Sequence, residues 1–250
     1  MIQVKNSDQI ACMREAGKIT GEALLIGGEL VKPGISTLEI DQAIHRFIVK
    51  NGATPSFLNY GGFPASACIS LNDEVIHGIP KANRILKEGD IVKIDVGAFY
   101  KGFHGDTART FPVGQVSDQA EQLIRVTRES FYEGIRTIGP GSRLGDLGAA
   151  IESYVMRFGY SAVRKYVGHG VGRHLHEDPE VPNFGTPGRG QRVYPGMVFA
   201  VEPMINAGGP DVRCLSDGWT VKTADGSLSA HYEHTLAVTD NGVVLLTEVK

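Results

Sequence analysis

The chain has three cysteines, Cys12, Cys68 and Cys214, and no CxxC pair among them. That spacing argues against a disulfide framework, and a reducing compartment fits best. Long apolar runs are missing as well. No stretch approaches the ~18 residues that cross a bilayer. The opening MIQVKNSDQIACMREAGKIT is polar throughout and has no signal-peptide h-region. A cytoplasmic protein without a membrane partner is expected. Basic charge is not in surplus either: the net charge is −3 and the pI about 6.2. Nucleic-acid binders usually carry a basic excess, so nucleic acid is not the expected substrate. No HExxH, Walker loop or GxSxG elbow occurs, since His176-Glu177 has no second histidine at the required spacing.

What remains is an ordinary globular composition, 42% hydrophobic and 21% charged, long enough to bury a core without covalent staples. Glycine is abundant at 32 residues, against the usual ~7% of a chain, which suggests many tight turns and close backbone approaches. The apolar spacing predicts a helix from Ser7 to about Val31, capped by Ser7 or Asp8. A second runs from Leu38 to about Asn51 behind Ser36 or Thr37. Residues 53–80 read as loop with short strands. IVKIDVGAFY reads as a strand that turns at Lys101-Gly102 and returns through Thr110.

The order then restarts. Ser117 or Asp118 caps a helix to about Ile138, and another runs from about Leu144 to Gly159. Pro195-Gly196 introduces a further strand, MVFAVEPM. A gap-free shift of 107 residues places Pro33-Gly34 on Pro140-Gly141, Gly52 on Gly159 and Asp95 on Glu202. The reading is one α+β catalytic domain over 1–250, with duplicated halves at about 7–112 and 117–250. Antiparallel sheets lie side by side under helices, with a site where the halves meet.

The chemistry concentrates on that seam. Asp95 lies between apolar residues in a strand, and Asp106 in GFHGDTA is placed roughly opposite it across the hairpin. Like charges so placed repel, and buried charge needs a partner. Lys93 and Arg109 are candidates, but a metal cation is the better one. Glu202 repeats the problem in the second half. Glu233 lies in HYEHTLAV and His169 between glycines in VGHGVG. Each alone is more often a cap, turn or salt-bridge residue. Together, four carboxylates and an imidazole match two divalent ions. The oxygen-rich set favours Mn(II), Fe(II) or Co(II), with Zn(II) as an alternative. Two such ions sharing a bridging water suit hydrolysis of an amide or ester. The neighbouring His174, His176 and His231 are a weaker sign of a zinc cluster.

The stretches NDEVIHGIP (72–80), GDIVKIDVGAFYKGFHGDTART (89–110), GHGVGRHLHEDPEVPNFG (168–185), FAVEPMINAG (199–208) and DGWTVKTADGSLSAHYEHTLAVT (217–239) resemble type I methionine aminopeptidases of the bacterial kind. The resemblance implies the duplicated pita-bread fold and removal of N-terminal methionine from nascent chains with a small second residue. It implies metal ligands at Asp95, Asp106, His169, Glu202 and Glu233, with Co, Mn, Fe(II), Zn or Ni as the ions. It places substrate-contacting histidines at His77 and His176, and the general acid/base at Glu202. The methionine pocket falls on Tyr60, Phe63, Cys68, His77 and Trp219. Phe57 and Leu175 stand where some members carry a cysteine and an aromatic, which alters the pocket's shape.

The family is mostly monomeric, and docking on the ribosome is left open. The chain begins almost at the catalytic domain, without the zinc-binding extension of eukaryotic type I members or the type II insertion. Prolidases and proline-specific aminopeptidases keep similar ligands but usually add an N-terminal domain. Creatinase-like members lack the metals. A catalytically dead binding homologue would be expected to have lost ligands.

Overall fold

A computed structural model describes residues 1–249. The first part of the chain forms α1 (Ser7–Glu29), α2 (Thr37–Lys50), β1 (Thr54–Pro55), β2 (Ala67–Leu71), β3 (Glu74–Ile76), β4 (Ile91–Tyr100) and β5 (Phe103–Pro112). The second forms α3 (Asp118–Ile135), α4 (Leu144–Met156), β6 (Ser161–Ala162), β7 (Gly168–Gly170), β8 (Glu177–Val181), β9 (Val198–Val201), β10 (Met204–Asn206), β11 (Val212–Cys214), β12 (Val221–Thr223), β13 (Ser229–Thr239) and β14 (Gly242–Leu245).

All four helices fall where the apolar spacing placed them. Their ends were read less well. Asn6, not Ser7 or Asp8, caps α1, because its side chain accepts from the Gln9 amide while Gln9 reaches back to the Asn6 amide. Ser36 does the same for α2 with Glu39. The helix α1 stops two residues before Val31, α3 three before Ile138 and α4 three before Gly159.

The strands make one large antiparallel sheet in which β1, β4, β5, β13, β9, β7 and β8 lie side by side. The order is symmetric about the β5/β13 seam. On one side β4 backs β5, and on the other β9 backs β13, so the strands bearing Asp95 and leading to Glu202 occupy matching places. A separate small sheet runs β11-β12-β3.

Side-chain alternation sorts the two faces. Val92, Ile94, Val96 and Ala98 of β4 pack into the core formed with Ile19, Ala23, Ile40 and Ile44 of α1 and α2. Phe199 and Val201 of β9, with Tyr232, Leu236 and Val238 of β13, pack with Leu123, Phe131, Leu147 and Ile151 of α3 and α4. The helices thus cover one face. Asp95, Asp106 and Glu233 alternate onto the other, and Glu202 follows Val198 and Ala200 there, one residue beyond the end of β9.

The hairpin register differs from the expectation that Asp95 and Asp106 are roughly opposite. Asp95 pairs with Ala108, and Asp106 with Gly97. The two-residue turn at Lys101-Gly102, both with positive φ, sets this register. A shift of two residues keeps both acids on the same face as diagonal neighbours, so the repulsion argument survives the correction.

Candidate metal centre and substrate cavity

Asp95, Asp106, His169, Glu202 and Glu233 converge on one cavity of about 330 Å³, which His77, His176, Tyr60, Phe63, Cys68 and Trp219 also line. Every residue singled out in the sequence for this site reaches it. One oxygen each from Asp106 and Glu233 and a ring nitrogen of His169 lie within 4.8 Å of one another. His169 Nε2 is 3.7 Å from Asp106 Oδ2 and 3.6 Å from Glu202 Oε1.

Asp106 and Glu233 are buried, Asp95 and Glu202 are partly buried beside them, and the four crowd one another. Burial pushes Asp95 up to about 7. Burial raises Asp106 well above the carboxylate range, with Asp95 and Glu202 adding to it. Glu202 is raised by burial and then by Asp95, and Glu233 by burial and then by Asp106, Glu202 and Asp95. Lys93 does not relieve this crowding: it is buried, and its Nζ donates to the Asn72 carbonyl at 2.7 Å. Arg109 points to the other face, since it follows Ala108 on β5.

A cation fits these residues. Asp95 Oδ1 and Asp106 Oδ1 are buried without a hydrogen-bond partner, a state that costs about 1–3 kcal/mol per group or more for a charged one. His169 Nδ1 lies 2.9 Å from the Gly170 carbonyl, which can only accept, so Nδ1 carries the proton. Burial, then His176, pushes His169 down to about 3, so the ring is neutral. Its bare Nε2 therefore turns a lone pair toward carboxylate oxygens. A divalent ion held by these side chains would supply the positive partner that the open oxygens and the Nε2 lone pair lack.

The glycines flanking His169 act as the sequence suggested. A Cβ at Gly168 would run into the Ala200 carbonyl, and one at Gly170 into the Asp178 carbonyl. Close packing on both sides thus holds β7 against β9 and β8, with the imidazole aimed at the acids.

His77 sits at the end of β3 with φ of +59°, a left-handed conformation uncommon for a non-glycine residue and often found at functional sites. Burial, then His176, pushes its imidazole down to about 4. His176 packs against His169 with ring centroids 4.0 Å apart, and its Nδ1 is 2.8 Å from the Tyr60 hydroxyl. Phe63 and Trp219 meet edge to face at 5.2 Å, and the Trp219 ring also reaches His77. Phe57 and Leu175 pack into the same apolar cluster as Cys68.

One residue here was set aside at the level of sequence. His231 is buried with both ring nitrogens unpartnered, and its Nε2 is 3.8 Å from Glu202 Oε2. It stands two before Glu233 on β13, so the same alternation that selects Glu233 would have found it. His174, by contrast, is exposed and does not line the cavity. Asn183 was also missed: its amide donates to the Glu202 carbonyl at 3.0 Å, fixing the backbone just past β9.

A duplicated antiparallel fold that buries four acids around an open imidazole is that of a metal-dependent hydrolase. The chain belongs to metallopeptidase family M24, whose profile matches residues 11–240. It is 56% identical to the methionine aminopeptidase of Clostridium perfringens (strain 13 / Type A) over 250 residues, covering 100% of both chains. The crystal structure of methionine aminopeptidase from Thermotoga maritima superposes with a TM-score of 0.98 at 43% identity, again over 100% of each chain. A prolidase from Pyrococcus furiosus, 22% identical, shares the fold alone, with a TM-score of 0.80 over 99% of this chain and 66% of that one. The pita-bread expectation is met. Among the described residues no helix is long and apolar enough to cross a membrane.

Proposed function

We propose that this protein removes the N-terminal methionine from nascent polypeptides whose second residue is small, acting in the cytoplasm as one catalytic domain built of two similar halves. The observation that carries the reading is the meeting of the five ligand-type side chains with an aromatic, sulfur-compatible slot in a single cavity. Asp95, Asp106, His169, Glu202 and Glu233 are assigned to hold two divalent ions, with Mn(II), Fe(II) or Co(II) preferred and Zn(II) or Ni(II) as alternatives. When bound, such a pair supplies an activated water and an electrophile for the scissile carbonyl.

The protein's own groups do the rest. Tyr60, Phe63, Cys68 and Trp219 receive the methionine side chain, whose thioether packs well against ring edges. His77 and His176, whose imidazoles desolvation pushes below the ordinary histidine value, stay near the scissile amide and donate to the oxygen that gains charge. Glu202 takes the proton of the attacking water and passes it to the leaving amine. Its backbone is held by Asn183, and His231 lies beside its second oxygen.

The assay that tests the reading compares release of methionine from Met-Ala-Ser with cleavage of Xaa-Pro peptides, with and without added Mn(II) or Co(II). Metal-dependent cleavage of the first alone is expected. Failure to cut Met-Ala-Ser under any metal would overturn the reading, and preferential cleavage of Xaa-Pro would move the protein to the prolidase branch of the fold. A second expectation concerns His77. His77→Ala should lower kcat by about 10²–10³-fold, the loss typical of removing one donor to a developing oxyanion. Its metal content should not change. A mutant that loses its metals instead would make His77 a ligand.

A further inference from the structure

The helix-covered face of the sheet contains a second cavity, larger than the first at about 520 Å³. It lies between α1 and α3 over the β5/β13 seam. Its polar wall comes from Arg109, Arg128, Tyr132, Tyr232 and His234, and its apolar wall from Leu24, Leu25 and Ile124. His231 also lines it but reaches Glu202 on the other side of the sheet; the five polar side chains just named take no part in the chemistry assigned above. Ala108 and Glu233 face the metal-site side, so their neighbours Arg109 and Tyr232, which pair across the ladder, face this one.

Two features of this cavity stand out. The first is unmatched positive charge. Arg109 Nε is buried and has no hydrogen-bond partner. Among the described residues, neither Arg109 nor Arg128 has a carboxylate at ion-pair distance, although other surface arginines nearby do, such as Arg125 with Glu129. Glu248 lines the cavity but is exposed and pairs with neither. The second is a fixed row of polar groups beside that charge. The Tyr132 and Tyr232 hydroxyls are 3.1 Å apart, Tyr232 Oη is 3.1 Å from His234 Nε2, and His234 Nδ1 is 2.8 Å from Thr247 Oγ1. The Arg109 guanidinium lies 5.8 Å from the Tyr232 ring centroid. Guanidinium groups recognise planar and tetrahedral oxyanions through parallel N–H donors. The volume is within the range of small-molecule sites, about 300–1,000 Å³.

We propose that this cavity is a second ligand site, which binds a small organic oxyanion: a carboxylate or phosphate head on Arg109 and Arg128, and an apolar body against Leu24, Leu25 and Ile124. It is separated from the metal centre by the thickness of the sheet.

Calorimetric titration of the metal-loaded protein tests this with four probes. Benzoate and phenyl phosphate carry both head and body, whereas acetate and inorganic phosphate carry the head alone. The first pair should bind about tenfold more tightly than the second, and the tighter of benzoate and phenyl phosphate assigns the head group. Metal centres also take oxyanions, so the decisive component is the one lost on substitution at the arginines. Arg128→Gln, at an exposed position where folding is not at risk, should weaken that component about tenfold. Arg109→Lys, which keeps the charge and loses the planar fork, should weaken it as well. A crystal soaked in the tighter probe should show it against Arg109. Unchanged binding in both variants, no binding by the parent protein, or a probe found only beside Glu202 would each overturn the proposal. Hydrolysis of Met-Ala-Ser is not needed for any of these readouts.

Discussion

Asp95→Asn and Glu202→Gln are each expected to reduce turnover of Met-Ala-Ser by about 10³-fold or more, equivalent to about 4 kcal/mol of transition-state stabilisation. The metal-free proteins should meanwhile remain folded. The two halves of this expectation come from one cause. An amide has nearly the shape of a protonated carboxyl, and burial already favours the protonated form at both positions. The packing around residues 95 and 202 therefore tolerates the replacement. The negative charge proposed to hold a cation is gone, however, and at Glu202 so is the group proposed to carry the proton. Steady-state kinetics with elemental analysis, alongside circular dichroism, separates the effects. Near-normal turnover in either variant would remove that residue from the centre. Loss of the folded state would show that the amide does not replace the acid as argued.

The second large effect is a linkage between pH, metal and stability. Burial holds the folded-state pKa of Asp95 near 7, against an ordinary value of 3.8. Between those values the native metal-free protein binds more protons than the unfolded chain, so this group's contribution to stability falls as pH rises and is fully lost above about 7. The buried imidazoles act in the opposite sense. His77, His169 and His231 are lowered to about 3–4, so their contribution is present above the ordinary histidine value of 6.5 and is lost as pH falls below it.

The informative quantity is therefore the difference in Tm between metal-free Asp95→Asn and metal-free parent, in which the histidines largely cancel. It should be near zero at pH 4 and open in favour of the variant as pH climbs through 7, because Asp95 also raises Asp106, Glu202 and Glu233. Divalent metal should reverse the order, because protons and metal compete for the same oxygens. At a hundredfold excess over Kd, metal adds about 2.7 kcal/mol to the parent. For a chain of this size that is about 5–11 °C. Differential scanning fluorimetry across pH, with and without Mn(II), measures both. A Tm difference that shrank as pH rose would contradict the burial argument.

The sequence revealed the parts of this molecule that depend on periodicity. The strand IVKIDVGAFY alternates apolar and other residues, and that alternation alone separates Asp95 from the face carrying Val92, Ile94 and Val96. The shift of 107 residues pairs Asp95 with Glu202, and in the sheet β4 lies beside β5 as β9 lies beside β13. Register was harder. A turn at Lys101-Gly102 sets Asp106 against Gly97, and opposing it to Asp95 would need the turn one residue earlier, near Tyr100-Lys101. Helix starts suffered for a similar reason, since Asn6, Ser7 and Asp8 are all capable caps and only the reciprocal contact with Gln9 selects Asn6.

The slot proposed for the methionine side chain was legible only through resemblance. Tyr60, Cys68, His176 and Trp219 come from loops and from strands far apart in the chain, and no local pattern joins them. Tyr166, which meets His77 edge to face at 6.0 Å, was not foreseen at all. The cavity behind Arg109 was invisible for the same reason. It is assembled from α1, α3, β5, β13 and the C-terminal segment, and only the folded sheet brings them together.

The central claim is that the four buried acids exist to hold divalent cations, and metal titration of the chelated protein near pH 7.5 tests it most directly. The account predicts two Mn(II) or Co(II) per chain by calorimetry and elemental analysis, falling to one or fewer in Asp106→Asn/Glu233→Gln. A parent protein that binds no divalent ion under these conditions, or a double variant that binds the same two, would contradict it.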